Sequence, residues 1–349
     1  MRFHAMNPVE TRVWKWVAYM LRMRSPAAML TLMLSLLGAG FGLQSGVAFA
    51  QDWTPTRPLR FIISFPPGGT SDLLERAIAP AMSEGLGQPI VLDNRGGAGG
   101  IVGVEAVARA QRDGYTFGIA SLSSHAANAT LALKLPYDPI KDFEPITLLG
   151  RSPLLLVVGP QNPARSVQEL LAQAKTKSLN FASPGVGLAS HIASELLKLQ
   201  TQSNMVHVPY KGGGPALTDI MGGHVDMMFI PISSAMPLVQ SGRLRALTIV
   251  RKERSPRPPN VPTIAEAGMA NFDIAEWWGL LAPARTARSA VNRLRAETVR
   301  AVERPEVADR LGAAGVEMIT STPEELREYV VVEIRKYRDI IQRAGIRAN

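Results

Sequence analysis

Leu59-Arg60-Phe61-Ile62-Ile63-Ser64-Phe65-Pro66-Pro67-Gly68-Gly69-Thr70-Ser71-Asp72 is the stretch from which the rest of the chain is read. Leu59 to Phe65 is a short β-rich run, and Pro66-Pro67-Gly68-Gly69 breaks it. Thr70-Ser71-Asp72 then opens a helix, with Leu73, Leu74, Ala77, Ile78 and Ala81 at helical spacing. Strand, Gly/Pro turn and helix follow one another within two dozen residues. That unit recurs.

Pro89-Ile90-Val91-Leu92 leads into the glycine-rich Asn94–Gly100 and a helix through Val107. Tyr115-Thr116-Phe117-Gly118-Ile119-Ala120 ends in Ser121-Leu122-Ser123-Ser124-His125. Leu179-Asn180-Phe181-Ala182 leads through Ser183-Pro184-Gly185-Val186-Gly187 to a helix over Ala189–Leu199. Met205–Tyr210 passes through Lys211-Gly212-Gly213-Gly214 to a helix begun by Pro215, a residue suited to a first helical turn. Leu154–Val158, Val225–Ile230 and Leu244–Val250 read as further strands. Strands separated by helices predict an α/β fold with parallel sheets covered on both faces. Near the end, Thr322-Pro323-Glu324-Glu325 is a capping box and Gly345 a helix stop.

The 349 residues include no cysteine, which removes disulfide scaffolds, thiol nucleophiles and cysteine-held metals together. The formal charge of +9 suggests a nucleic-acid partner until the first fifty residues are set aside. Residues 1–24 carry Arg2, Arg12, Lys15, Arg22 and Arg24 against Glu10 alone. A charge-free run from Pro26 closes on Ala48-Phe49-Ala50, the pattern of a secretory signal cut after Ala50. Five bases and one acid leave with it, a net of four charges, so +9 falls to +5. No block of Lys/Arg survives, and no nucleic-acid partner is expected. The exported remainder has no second hydrophobic span and reads as periplasmic.

Enzyme signatures are missing. There is no P-loop, no Gly-x-Ser-x-Gly elbow and no His-Glu-x-x-His helix. His125, His191, His207 and His224 have no close metal-ligand spacing and read as structural. What recurs is the polar turn opening a helix, at Phe65–Asp72, Ser121–His125, Ser183–His191 and Tyr210–Pro215. Unpaired amides at helix starts suit an anion without help from Lys or Arg. Ordinary βα capping wants the same residues, so one such turn says little; four in an exported chain point to a carboxylate-binding cleft.

Phe65–Asp72, Asn94–Gly100, Tyr137–Phe143, His207–Gly212, Gly242–Leu247 and Val261–Gly268, in that order, closely resemble the Bug family, the periplasmic receptors of tripartite tricarboxylate transporters. The resemblance implies a type II periplasmic-binding-protein fold: two lobes, each with a central mostly parallel sheet, joined by a Venus-flytrap hinge. The lobes implied are 51–153 with 277–349, and 154–276. It also implies a non-enzymatic monomer without cofactor or metal. Such a receptor captures a small organic acid for the membrane permease subunits of the transporter. An extracytoplasmic sensor feeding a signalling partner is the alternative.

Carried over by position, Pro67, Gly68, Gly69 and Asp72 would come from one turn and Ser121, Ser123 and Ser124 from another. Ser183, Gly187 and Leu188 would face them, with Tyr210 and the Ile230–Ser233 region near the cleft. Trp277, with Trp278 beside it, would cover the ligand. The family usually has Ser or Thr where this chain has Leu188. That exchange removes a hydrogen bond worth about 1 kcal/mol net and adds an apolar wall, tilting the expected ligand toward a larger, partly apolar acid. Asp72 keeps two readings: a helix-start acid favoured by the dipole, or a group that recognises an ammonium or hydroxyl on the ligand.

Overall fold

Apolar β-rich runs form the strands they suggest. They are β1 (Leu59–Ile63), β2 (Ile90–Asn94), β3 (Thr116–Ser121), β4 (Phe143–Val158), β5 (Leu179–Ser183), β6 (Met205–Pro209), β7 (Met227–Pro231), β8 (Arg245–Ile249), β9 (Ala275–Pro283) and β10 (Glu317–Met318). The longer helices are α1 (Thr70–Leu86), α2 (Ile101–Ala108), α3 (Val167–Gln173), α4 (Ala189–Thr201), α5 (Gly213–Gly222), α6 (Ile232–Gln240), α7 (Arg288–Val302), α8 (Pro305–Ala313) and α9 (Pro323–Ala344). The computed structural model describes residues 53–132, 134–254 and 260–347. The expected export signal, residues 1–50 with its cut after Ala50, lies outside the described residues.

The strands follow the order β2-β1-β3-β9-β4-β7-β5-β6, with β8 and β10 also paired to β4. β1 is parallel to β2 and β3, and β5 is parallel to β6 and β7. These are the predicted βα units. Their junction differs from the sequence reading. β9 runs antiparallel to β3 and β4, and β4 antiparallel to β7 and β8, so both sheets are mixed. β4 serves both: Phe143–Pro153 pairs with β9, and Leu154–Val158 with β7. Neither β9 nor the first part of β4 is followed by a Gly-rich turn and helix, the signal used to find the others. Register shifts at Pro145/Thr147 and Leu148/Gly150 further blur the period-two pattern of β4.

Trp278 packs with Phe61, Phe117, Leu74 and Ile78 between β1, β3 and α1. Trp277, the preceding residue, belongs to a second cluster with Phe143, Phe181 and Tyr337. A third gathers Leu155, Ile220 and Ile230 under α5. α9 starts as predicted: Thr322 Oγ1 accepts from the Glu325 amide at 3.2 Å, and Glu325 accepts from the Thr322 amide at 2.7 Å. It ends on Gly345 in the left-handed conformation, φ 65°. Between these caps it packs on β4 and on α4, bracing the two sheets from behind.

Candidate functional site

Backbone at the carboxyl ends of β1, β3, β5, β6 and β7 turns immediately into helices, and these turns meet. A cavity of about 580 Å³ is lined by Phe65–Ser71 and Ser123 on one side and by Pro184, Leu188–Ser190, Gly212, Gly213 and Pro231 on the other. Glu276 and Trp278 of β9 complete its wall. Thr70 Oγ1 and Ser233 Oγ approach to 3.5 Å across it. Ligands in open α/β sheets sit at such strand ends.

The electrostatics come from main chain. Gly69 precedes α1 with extended backbone and no side-chain cap, as Leu188 does for α4. The N–H groups of Thr70 and Ser71, and those of Ala189 and Ser190, have no acceptor among the described residues. Two helix starts of 17 and 13 residues therefore present unpaired, partly positive amides to one space. Among the described residues, no Lys, Arg or His lines it. A second cavity, at Arg151, Arg251 and Lys252, is richer in cations, but Arg151 is paired with Asp273 and Arg251 with Glu317.

The family model for tripartite tricarboxylate transporter family receptors matches residues 74–346. The chain belongs to that receptor family. Protein BugT of Bordetella pertussis is 33% identical over 321 residues, covering 90% of this chain and 98% of BugT. MatC of Rhodopseudomonas palustris, solved with bound malate, is 35% identical with a TM-score of 0.74 over 82% of this chain and 99% of MatC. A second protein of that organism, solved with adipate, is 33% identical with a TM-score of 0.78 over 85% of this chain and 99% of its own. Receptors of this family are periplasmic solute-binding proteins and not enzymes.

Within this receptor, the residues carried over by position divide. Pro67, Gly68, Gly69, Ser123 and Leu188 line the cavity. Asp72 does not. Its Oδ2 takes Arg76 Nε at 2.9 Å and the Gly68 amide at 3.1 Å, and its Oδ1 takes Asn94 Nδ2 at 3.0 Å. The bond from Arg76, helped by the other two, holds its carboxyl at about 2. Asp72 therefore shapes the turn, and the Gly68 N–H is spent on it. Ser121 and Ser124 cap the next turn reciprocally, with the Ser121 amide donating to Ser124 Oγ at 3.0 Å.

Ser183 Oγ lies 3.0 Å from the Gly185 carbonyl and 2.7 Å from His207 Nε2, and the Gly187 amide donates to His191 Nδ1 at 3.1 Å. Both are turn-builders behind the cavity wall. Tyr210 donates its hydroxyl to Asp219 at 2.6 Å, and burial with that bond pushes it up to about 12. It does not line the cavity. Trp277 is the clearest correction. Strand alternation sends it to the opposite face of β9, edge-on to Tyr329 with centroids 5.4 Å apart, and puts Trp278 at the cleft instead. Trp278 Nε1 donates to Ser71 Oγ at 2.8 Å. Phe65, Ala189, Ser190 and Gly213 lie within the turns singled out in the sequence but were not named as contacts, and Glu276 lies outside them; only once β9 is known to be a strand does period-two alternation from Trp278 point to Glu276.

His125, His191 and His207 are structural and set a pH dependence. His191 and His207 stack with centroids 3.8 Å apart beneath the Ser183–Leu188 turn, and burial depresses them to about 3 and about 4. His125, fully buried between Tyr137 and Phe143, is depressed by burial to about 3. Each unfolded histidine takes a proton near pH 6.5, so its contribution is intact above that value and lost as pH falls toward the folded one. Glu276 works in the opposite sense, because burial raises its folded value to about 7. A variant comparison isolates the histidine part. Between pH 7.5 and 5, His125→Phe is expected to lose roughly 2 kcal/mol less stability than the parent, measured by urea unfolding. Equal losses would refute neutral burial of His125.

Proposed function

We propose that this receptor closes two lobes, residues 51–153 with 277–349 and residues 154–276, around a small organic acid. Its carboxylate is gripped by the amides of Thr70 and Ser71 from one side and of Ala189 and Ser190 from the other. The observation that carries this reading is the convergence of two uncapped helix starts on one cavity that is lined by no basic side chain among the described residues. Ligand contact with both sides favours the closed state, and closure presents a joined surface to the membrane subunits of the tripartite transporter. The chain is exported to the periplasm by the signal in residues 1–50. Phe65, Leu188, Trp278 and four prolines give the cavity apolar walls, which favours an acid with an apolar body over a compact dicarboxylate.

A thermal-shift panel of aliphatic, aromatic and hydroxylated carboxylates, followed by calorimetry, tests the reading. A true ligand at about 100 times its Kd stabilises the fold by about 2.7 kcal/mol, a rise of several degrees. A folded protein whose melting point none of the acids moves is the contrary result.

A further inference from the structure

Glu276 is the one ionisable side chain among the described residues that line the cavity. β9 turns it toward the same side as Trp278, and its cross-strand neighbour Ser152 cannot satisfy it, because Ser152 Oγ donates to the Gly315 carbonyl at 3.1 Å. Charged and titratable groups on the surrounding elements are mostly engaged or turned away; Glu75 of α1 is fully buried with neither carboxyl oxygen partnered among the described residues, and burial raises its carboxyl well above the usual range. On α1, Asp72 is tied to Arg76; on α4, His191 accepts from Gly187; before α5, Lys211 is exposed. On α9, the Tyr337 hydroxyl is buried without a partner among the described residues, and burial raises it first, with smaller contributions from the charges of Glu333, Tyr329 and Glu276. Burial alone pushes Glu276 up to about 7, with no cation to offset it. A cavity built to attract anions through its amides thus has an uncompensated acid in its wall, and a ligand with two carboxylates would meet it unfavourably.

We infer that Glu276 selects acids that also carry a protonated amine, pairing with the ammonium while the helix-start amides hold the carboxylate. This rests on the carboxylate-cleft reading above and specifies its ligand class as zwitterionic. An ammonium in the site supplies the missing partner, ionises Glu276 and gains charge-assisted hydrogen bonds. The rest of the ligand then lies against Phe65, Leu188 and Trp278.

Matched pairs decide the matter: pentanoate with 5-aminopentanoate, 3-phenylpropanoate with phenylalanine, and adipate with 2-aminoadipate. Each is titrated into the purified protein by calorimetry at pH 7.5. In at least one pair the aminated acid is expected to bind tenfold or more tightly than its partner. Glu276→Gln should bring that ratio close to one by weakening the aminated acid, and Glu276→Asp should retain part of it. The inference is overturned if plain acids bind as well as aminated ones, or if the ratio survives Glu276→Gln. It is also overturned if adipate tightens from pH 8 to pH 6 and Glu276→Gln abolishes the gain, since a protonated carboxyl would then be donating to an anion. Should Glu276→Gln not fold, the parent ratios and Glu276→Asp decide alone. A folded parent protein that binds no member of any pair instead removes the carboxylate cleft, and with it the role of Glu276.

Discussion

Gly69→Leu is expected to leave the receptor folded and to weaken capture of its acid at least 100-fold, about 2.7 kcal/mol in binding free energy. Gly69 has φ −82°, which any residue adopts, and the nearest atom to a Cβ built there is the Pro66 carbonyl oxygen at 3.9 Å. The fold loses only the mild preference for glycine over leucine before a helix, on the order of 1 kcal/mol. The binding cost is steric. The new side chain stands at the mouth of α1, where the carboxylate must approach the amides of Thr70 and Ser71. Calorimetry with an acid identified in the panel checks this, with Gly312→Leu on the exposed side of α8 as control. Undiminished binding in Gly69→Leu would place the carboxylate elsewhere.

Trp277→Ala should behave in the reverse manner. The side chain is 0% exposed, its indole N–H has no acceptor among the described residues, and its value is therefore packing. Removal costs about 3–5 kcal/mol in a core that closes only partly over the void, a fall in melting temperature on the order of 10 °C. Affinity measured well below that temperature should stay within a few-fold of the parent. Trp278→Phe, which loses the bond to Ser71 and alters the cavity wall, should weaken binding with a smaller stability loss. If Trp277→Ala abolishes binding while still folded, the strand register of β9 assigned to the cleft is wrong.

These neighbouring tryptophans mark where the sequence was legible and where it was not. Turns such as Phe65–Asp72 announce themselves, because proline, glycine and a helix-start acid each have a local conformational reason to be there. The same holds for Thr322–Glu325 and Gly345, whose caps appear as read. Which face of a strand meets the cleft is not a local property. It needed β9 to be recognised as a strand, and β9 lies antiparallel between β3 and β4, with no glycine in the short turn, residues 284–287, that leads from it into α7. Asp72, Ser183 and Gly187 illustrate a second limit. Their residue types suit ligand binding and turn construction equally, and only their partners Arg76, His207 and His191, up to 24 residues away, assign them to construction. Glu276 was invisible for a third reason. A lone acid has no motif; it stands out only once every other wall residue is known to be uncharged.

The most direct measurement is a crystal structure of the receptor with a captured acid. One carboxylate of the guest is expected within hydrogen-bond distance of the Thr70 or Ser71 amide and of the Ala189 or Ser190 amide together, with Gly69 and Leu188 at its edge. Density for the acid in the cation-rich cavity at Arg151 and Arg251, with the space between α1 and α4 holding only solvent, would contradict the mechanism at its root.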